Sequence, residues 1–165
     1  MKVMALIVLV LCLAHANARQ SHLVEQMSVV SALSFGNDFG VLTNCGKSAI
    51  SGVWTPKDIS SHGEVTFYVN FTAPYDMDGG YAEGDVYRHS DGSIIAQYGT
   101  PFDCDEVKKW IPCPIKKGTL IQIQKTIPDL SQLAGHQGVF DIVVQVSNND
   151  DLQMLCVNAT VTVSR

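Results

Sequence analysis

Most of the chain consists of short segments in which apolar and polar residues alternate, and this period of two constrains the fold most. Successive side chains of a β-strand point to opposite faces, so alternation indicates strands with one buried face. Val, Ile, Thr, Tyr and Phe dominate these segments, and Gly, Pro, Asn and Asp separate them, as is typical of an antiparallel β domain. The pattern predicts strands near 28–34, 49–54, 64–72, 81–89, 93–98, 119–126, 138–147 and 153–163.

The alternation also predicts which side chains face the interior of the domain. Four apolar residues share one face of the strand near 64–72: Val65, Phe67, Val69 and Phe71. In the later strands the same rule selects Ile121, Ile123, Phe140, Ile142, Val144 and Val146, with Leu155, Val157, Ala159, Val161 and Val163. Two N-x-S/T sequons, at Asn70 and Asn158, lie on the opposite faces, where a glycan would meet water. We therefore predict glycosylation of Asn70 and Asn158 and an apolar interior behind them.

The N-terminus has the three parts of a secretory signal peptide. Lys2 supplies a positive charge, residues 3–13 are apolar, and Ala16-Asn17-Ala18 provides small residues at a cleavage site. The apolar run is about half the ~20 residues that a membrane-spanning helix needs. We predict a cleaved signal peptide at 1–18, an N-terminal segment with the first strand at 19–41, and one domain at 42–165. The protein is then secreted to the extracellular space, or delivered to the lumen of a lysosome or vacuole.

Four cysteines remain after the predicted signal peptide: Cys45, Cys104, Cys113 and Cys156. An even number of cysteines in an exported chain indicates disulfides. A zinc site is the competing interpretation, but its ligand pairs usually have two to four residues between them, a spacing that these cysteines lack. Three pairings are possible. The most natural one closes a local loop between Cys104 and Cys113 and joins Cys45 to Cys156.

Charge and motifs argue against several functions. The formal net charge of −5 disfavours nucleic acid as a partner, because phosphate binding requires a basic surface. The segment Asp76–Gly80 resembles the start of a calcium loop but lacks the later ligands, so we interpret it as an acidic turn. No nucleophile elbow, P-loop or dinucleotide motif is present. We predict a protein that is not an enzyme, with no catalytic residue, metal or cofactor, and with histidines in loops or at strand ends: His22, His62, His89 and His136.

The cysteine motifs resemble those of the ML (lipid-recognition) domain family, which includes the Niemann-Pick lysosomal cholesterol carrier and the phosphatidylglycerol/phosphatidylinositol transfer proteins. The resemblance covers residues 42–164, and Tyr68–Thr72 is similar to a glycosylated strand of the cholesterol carrier. The chain departs from many members by lacking a cysteine pair before the third strand, where it has Trp54–Gly63. The motifs are Asn44-Cys45-Gly46, Cys104, Cys113-Pro114-Ile115, Lys117-Gly118 and Leu155-Cys156.

The resemblance implies a fold and a pairing of the cysteines. The fold is an all-β, immunoglobulin-like β-sandwich of two antiparallel sheets with an internal apolar cavity. The first and last cysteines of the family pair with each other, which supports Cys45–Cys156. The family's local pair supports Cys104–Cys113.

Two groups of residues are the candidate lipid-binding site. The predicted wall of the cavity consists of Phe67, Val69, Phe71, Ile121, Ile123, Phe140, Ile142 and Val144. The predicted mouth, in or beside the disulfide loop, consists of Tyr98, Phe102, Trp110 and Ile111. A sandwich filled by its own side chains would also point the wall residues inward, so core packing is an equal alternative for each of them. Trp110 and Ile111 beside Lys108 and Lys109 favour transient contact with a membrane surface.

We predict a lipid-binding or lipid-transfer protein that holds a sterol, phospholipid or fatty acid between its sheets. An acyl chain gains about 0.8 kcal/mol for each CH₂ group that leaves water, so parted sheets would offer it a favourable site. The alternatives are an accessory or sensor protein that presents lipid to another protein, and a filled sandwich that serves as an adhesion or structural module. Fold alone does not decide among these functions.

Overall fold

The computed structural model describes residues 38–108, 111–133 and 135–165, except for the side chain of Gln132. The predicted signal peptide and the strand predicted near 28–34 lie outside these residues. No helix in the described part is long and apolar enough to cross a membrane. The described elements are the strands β1 (Gly40–Asn44), β2 (Ile50–Thr55), β3 (Asp58–Ser60), β4 (Val65–Thr72), β5 (Gly79–Arg88), β6 (Ile94–Asp103), β7 (Leu120–Ile127), β8 (Gly138–Asn148) and β9 (Gln153–Ser164), the helical turn α1 (Cys104–Val107) and a 3₁₀ turn (Ser131–Leu133).

The strands form one continuous curled path in the order β6-β5-β8-β9-β1-β2-β4-β7. We call β1, β2, β4 and β7 the first sheet, and β6, β5, β8 and β9 the second sheet. Neighbours along the path are antiparallel, and the short β3 adds a parallel contact along β9. The path folds back on itself, so the inner faces of the two sheets meet as a β-sandwich.

Strand β1 forms the corner between the two sheets. Its first half, from Gly40 to Leu42, pairs with β2, whereas Thr43 and Asn44 pair with β9. Trp54 packs across the start of β1 and is 1% exposed. A side chain at Gly40 would overlap the Trp54 ring, so this corner depends on a glycine.

Seven strands predicted from the sequence are confirmed, with ends that differ by a few residues. β1 and β3 were not predicted, because they have five and three residues and too little alternation to identify a buried face. The prediction also ended β6 at residue 98, before Gly99 and Pro101. β6 continues to Asp103 because it is an edge strand, where proline is tolerated.

The interior divides into two apolar clusters. The predicted inward faces of β4, β8 and β9 supply just over half of the first cluster and contribute Phe71 to the second, which agrees with the alternation argument. Met154 was not predicted to be buried; a register shift opposite Val146 turns it inward. The first core cluster contains Leu42, Trp54, Ile59, Val65, Phe67, Val86, Ile127, Leu130, Leu133, Phe140, Ile142, Val144, Val157, Val161 and Val163. The second core cluster contains Phe71, Ala73, Met77, Ile115, Ile121 and Met154.

Both predicted disulfides are confirmed. Cys45 at the end of β1 pairs with Cys156 of β9, across a sequence separation of 111 residues. This bridge explains why Cys156 is buried although it lies on the outward-pointing side of β9. Cys104 and Cys113 close the short loop that follows β6.

Replacing Cys45 and Cys156 together by alanine is expected to lower the free energy of unfolding by about 2–5 kcal/mol, because the bridge closes a long loop at the corner of the sandwich. Urea unfolding of the double variant measures this loss. The matched control replaces Cys104 and Cys113, whose loop is far shorter, and should lose about 2 kcal/mol less by loop-closure entropy. Equal losses would contradict this account.

Candidate functional site

The sandwich is closed on one side and open on the other. β1 and β9 join the sheets by backbone pairing at the corner. The strand path ends at β6 in the second sheet and at β7 in the first sheet. No described strand pairs with the outer sides of β6 and β7, and we call the gap between these two strands the open edge. A ligand that enters between the sheets at the open edge does not have to break hydrogen bonds between paired strands.

Inward-facing side chains are less buried on β6 and in the middle of β7 than on most of β9, although Ile121 and Ile127 of β7 are buried. On β9, near the corner, Val157, Val161 and Val163 are all buried. On β6 the inward positions opposite β5 are only half-buried: Ala96, Tyr98, Thr100 and Phe102. Ile123 of β7 and its neighbour Val69 of β4 are also half-buried. Apolar side chains at the open edge therefore point inward without being fully covered by the protein.

The structure places the predicted wall residues in both clusters and along the open edge. Those in the first core cluster are Phe67, Phe140, Ile142 and Val144, with Val69 half-buried against it. Those in the second core cluster are Phe71 and Ile121, with Ile123 half-buried against it.

Three predicted mouth residues lie at inward or flanking positions of the open edge. Tyr98 packs half-buried against the first core cluster, and Phe102 and Ile111 pack half-buried against the second. Trp110 lies outside the described residues. Leu155, which alternation predicted to face inward, also packs half-buried against the second cluster. The sequence analysis missed three further buried or half-buried residues at this end of the sandwich: Ile50, Met77 and Ile115.

The disulfide loop is anchored at both ends. Asp103 caps α1 by accepting a hydrogen bond from the Glu106 backbone N–H at 3.0 Å, and the Glu106 carboxylate accepts one from the Asp103 N–H at 3.1 Å. Val107 buries its side chain below the turn. At the other end, Ile115 exchanges backbone hydrogen bonds with Met77. The loop is therefore held against the same end of the sandwich as the second core cluster.

Asp76 fastens three segments together at this end. Its carboxylate accepts hydrogen bonds from the Lys116 ammonium at 2.9 Å and the Lys117 backbone N–H at 2.8 Å. Its backbone carbonyl accepts one from the side chain of Asn148, which is buried. The hydrogen bonds from Lys117 and Lys116 lower the pKa of Asp76. The segment Asp76–Gly80 thus serves as a polar clamp.

Lys125 was not selected from the sequence. It stands opposite Phe67 on β7, at an inward position of the open edge, and is half-buried. The other inward positions of β6 and β7 carry no charge. Alternation predicts that Lys125 faces inward. Because charged residues are rarely buried, Lys125 was not included among the predicted wall residues. The arrangement puts one cation beside an apolar interior.

A second polar group lies on the outer face of the second sheet. His89 Nδ1 and Asp141 are 2.9 Å apart, and Thr160 donates a hydrogen bond of 2.7 Å to Asp141. Partial burial opposes ionisation of Asp141, but the hydrogen bonds from Thr160 and His89 outweigh it and lower its pKa. His62 and His136 are exposed. Among the described residues, no group of three His, Cys, Asp or Glu side chains is placed to hold a metal ion.

The strand order, the two packed faces and the near absence of helix define an immunoglobulin-like β-sandwich. A family model described as ML domain matches residues 41–163. The chain belongs to the ML domain family. A search of curated proteins finds no match to its sequence.

Two solved structures share this fold. A Niemann-Pick type C2 protein from the Japanese carpenter ant superposes with a TM-score of 0.57 at 19% identity, over 75% of this chain and 99% of that one. Chicken MD-1, complexed with lipid IVa, superposes with a TM-score of 0.51 at 15% identity, over 74% of this chain and 94% of that one. At these identities the likeness establishes the fold.

Replacing Asp76 by Asn is expected to lower the melting temperature at pH 7, because the clamp loses its ion pair with Lys116. The folded pKa of Asp76 lies below its ordinary value of 3.8, so its contribution is present above that pH and is lost as the pH falls through the folded pKa. Thermal unfolding at pH 7 and at about pH 2 should show the difference from wild type shrinking towards zero. Asp58→Asn, at an exposed position of β3, is the matched control.

Proposed function

We propose that the protein binds a lipid between its two sheets and admits it through the open edge. The observation that carries this proposal is the partial burial of inward-facing side chains on β6 and in the middle of β7. Val157, Val161 and Val163 near the corner are covered by protein, whereas Val69 and Ile123 at the opposite side are covered in part. An apolar ligand would cover the remaining surface.

The energetics favour a long apolar tail. Each buried CH₂ group stabilises the complex by roughly 0.8 kcal/mol, and the half-buried side chains of the open edge gain from the same contact. Such binding depends on shape and apolar area and needs few polar contacts. The MD-1 structure with lipid IVa shows that a protein of this fold accommodates a lipid. A sterol, a phospholipid and a fatty acid each have an apolar part that such a site would bind.

Lys125 favours a lipid with an anionic head group. A carboxylate or phosphate at the open edge would approach the ammonium of Lys125, while its tail runs towards Phe67 and Val69 on the neighbouring strand β4. Hydrogen bonds between oppositely charged groups are shorter and stronger than neutral ones. We infer that phospholipids and fatty acids bind more tightly than sterols.

Two alternative functions make different demands on the same site. A protein that presents lipid to a receptor or hydrolase would use the same interior and in addition bind a protein partner. In a filled adhesion or structural module, inward-facing apolar side chains such as Ile123 would be covered by the protein's own residues. The partial burial of Ile123 therefore favours lipid binding, with transfer through transient contact of the disulfide loop with a membrane surface.

Export remains part of the proposal. Two disulfides are typical of oxidising compartments, and the sequence begins with a predicted signal peptide. We expect the protein outside the cell or in the lumen of a lysosome or vacuole.

Ile123→Trp is the sharpest test of an interior ligand. The larger ring would fill the open edge, so we expect lipid affinity to fall about tenfold or more, equivalent to about 1.4 kcal/mol, with little loss of stability. Native mass spectrometry of the exported protein with extraction of bound lipid, followed by titration with phosphatidylinositol, measures the effect. Gln122→Trp is the matched control, because Gln122 is the exposed neighbour on the opposite face of β7.

A filled sandwich gives the opposite pattern. The wild-type protein would then carry no lipid and bind none, and Ile123→Trp would overpack the core and cost about 1–3 kcal/mol of stability. That result would refute the lipid-binding proposal.

Lys125→Gln tests the preference for an anionic head group. We expect the Kd for phosphatidylinositol to rise about 5- to 30-fold, equivalent to about 1–2 kcal/mol for a lost charge-assisted hydrogen bond. The Kd for cholesterol should stay unchanged. Lys47→Gln, at an exposed position after β1, is the matched control and should change neither value. Equal weakening for both lipids would mean that Lys125 supports the fold and does not contact the head group.

A further inference from the structure

The outer face of the second sheet carries a groove that lipid binding between the sheets leaves unused. It has a volume of about 350 Å³ and crosses strands β5, β6 and β8. Its side chains sit at outward positions, on the opposite side of the sheet from the core residues Val86 and Val144. The principal lining residues are Tyr81, Glu83, Asp85, Gln97, Val143 and Gln145.

An aromatic platform forms one side of this groove. Tyr81 is 41% exposed, and its ring lies across Gly99 of the neighbouring strand, where a side chain would overlap the ring and hydroxyl. The glycine therefore lets the ring lie against the sheet and present apolar surface to solvent. Val143 adds a half-buried aliphatic side chain. Flat apolar surfaces of this kind suit the C–H faces of sugar rings.

Polar side chains surround the platform and are held in fixed positions. The Asp85 carboxylate accepts hydrogen bonds from the side-chain amide of Gln97 at 3.1 Å and from the Tyr87 hydroxyl at 3.2 Å. The Gln145 side chain accepts one from Gln153 at 3.0 Å. Glu83 of β5 is exposed and lies between Gly99 of β6 and Gln145 of β8, its partners on the two neighbouring strands. Fixed carboxylates and amides next to apolar surface suit a ligand rich in hydroxyl groups.

The sequon asparagine Asn158 lies in the same cross-strand row as three residues of the groove, and Tyr81 is four residues further along β5 from that row. It is exposed on β9 and stands directly opposite Val143 of β8. Val143 in turn stands opposite Asp85 of β5, and Asp85 opposite Gln97 of β6. Strands are about 4.8 Å apart, so Asn158 is about 10 Å from Asp85 and about 14 Å from Gln97 across the sheet.

We propose that this groove holds the first sugars of an N-linked glycan attached to Asn158. The glycan leaves Asn158 on the outer face, passes over Val143 and stacks on the Tyr81 ring. Its hydroxyl groups meet Glu83, Asp85 and Gln97. An intramolecular ligand has a high effective concentration in the groove, so weak contacts suffice to hold it.

The geometry favours the protein's own glycan over an oligosaccharide from another source. A glycan on Asn158 starts at the edge of the groove and must cross it or turn away from the sheet. The second sequon supplies the comparison, because Asn70 lies on β4 of the first sheet, outside this row. A glycan at Asn70 has no access to Tyr81.

The test is a double-mutant cycle on protein secreted from eukaryotic cells. Asn158→Gln should lower the melting temperature by about 3 °C in the wild-type background. In a Tyr81→Ala background it should lower it by less than about 1 °C, because the stacking partner is already absent. Asn70→Gln is the matched control and should have the same effect in both backgrounds. If Asn158→Gln is not secreted, enzymatic removal of the glycan from the two folded proteins gives the same comparison.

Three results would overturn the proposal. The first is a glycopeptide mass spectrum in which Asn158 carries no sugar. The second is an effect of Asn158→Gln that is equal with and without Tyr81. The third is binding of an external oligosaccharide on a glycan array by the wild-type protein with Asn158 occupied, because the groove would then be open to ligands from solution.

Discussion

The backbone pairing of β1 with β9 is the contact on which the rest of the sandwich depends. β1 exchanges one partner for another between Leu42 and Thr43, and in doing so joins the two sheets along one side. The Cys45–Cys156 bridge reinforces the same corner covalently. Hydrogen bonds and a disulfide fix the sheets there, whereas no pairing between described strands joins β6 to β7 at the opposite side.

This asymmetry is the basis of the proposed lipid site within a folded core. Side chains near the corner are covered by protein and supply the stability of the fold. The inward side chains of β6 and Ile123 of β7 point to the same interior but are only half-buried, and no described strand extends the sheets beyond them. A ligand at this side would complete the apolar contacts without disturbing the corner. Polar clamps such as Asp76 with Lys116 fix the loops at the mouth and leave the apolar surface there uncovered.

The two faces of the second sheet have separate chemistry because a strand alternates its side chains. Inward positions of β5 and β8 carry small or aliphatic residues such as Val86 and Val144. Outward positions carry Tyr81, Asp85 and Gln145, which form a groove next to Asn158. A change on the outer face would therefore alter the contacts of the proposed glycan while the proposed lipid site keeps its lining. The sheet separates the two sites by the thickness of one layer.

The sequence by itself determined the strands with clear alternation, the inward faces of β4, β8 and β9, and the presence of disulfides, because period two and an even cysteine count are local or countable signals. The even count left three pairings possible, and the family resemblance supported the one that the structure shows. The sequence missed the short strands β1 and β3, because β3 pairs only with distant β9 and β1 divides its pairing between β2 and β9. Lys125 was overlooked because its charge argued against its position in the pattern. Only the tertiary structure decided which inward residues are covered and which face the open edge. That distinction depends on strand order, and strand order is set by contacts between residues far apart in the chain.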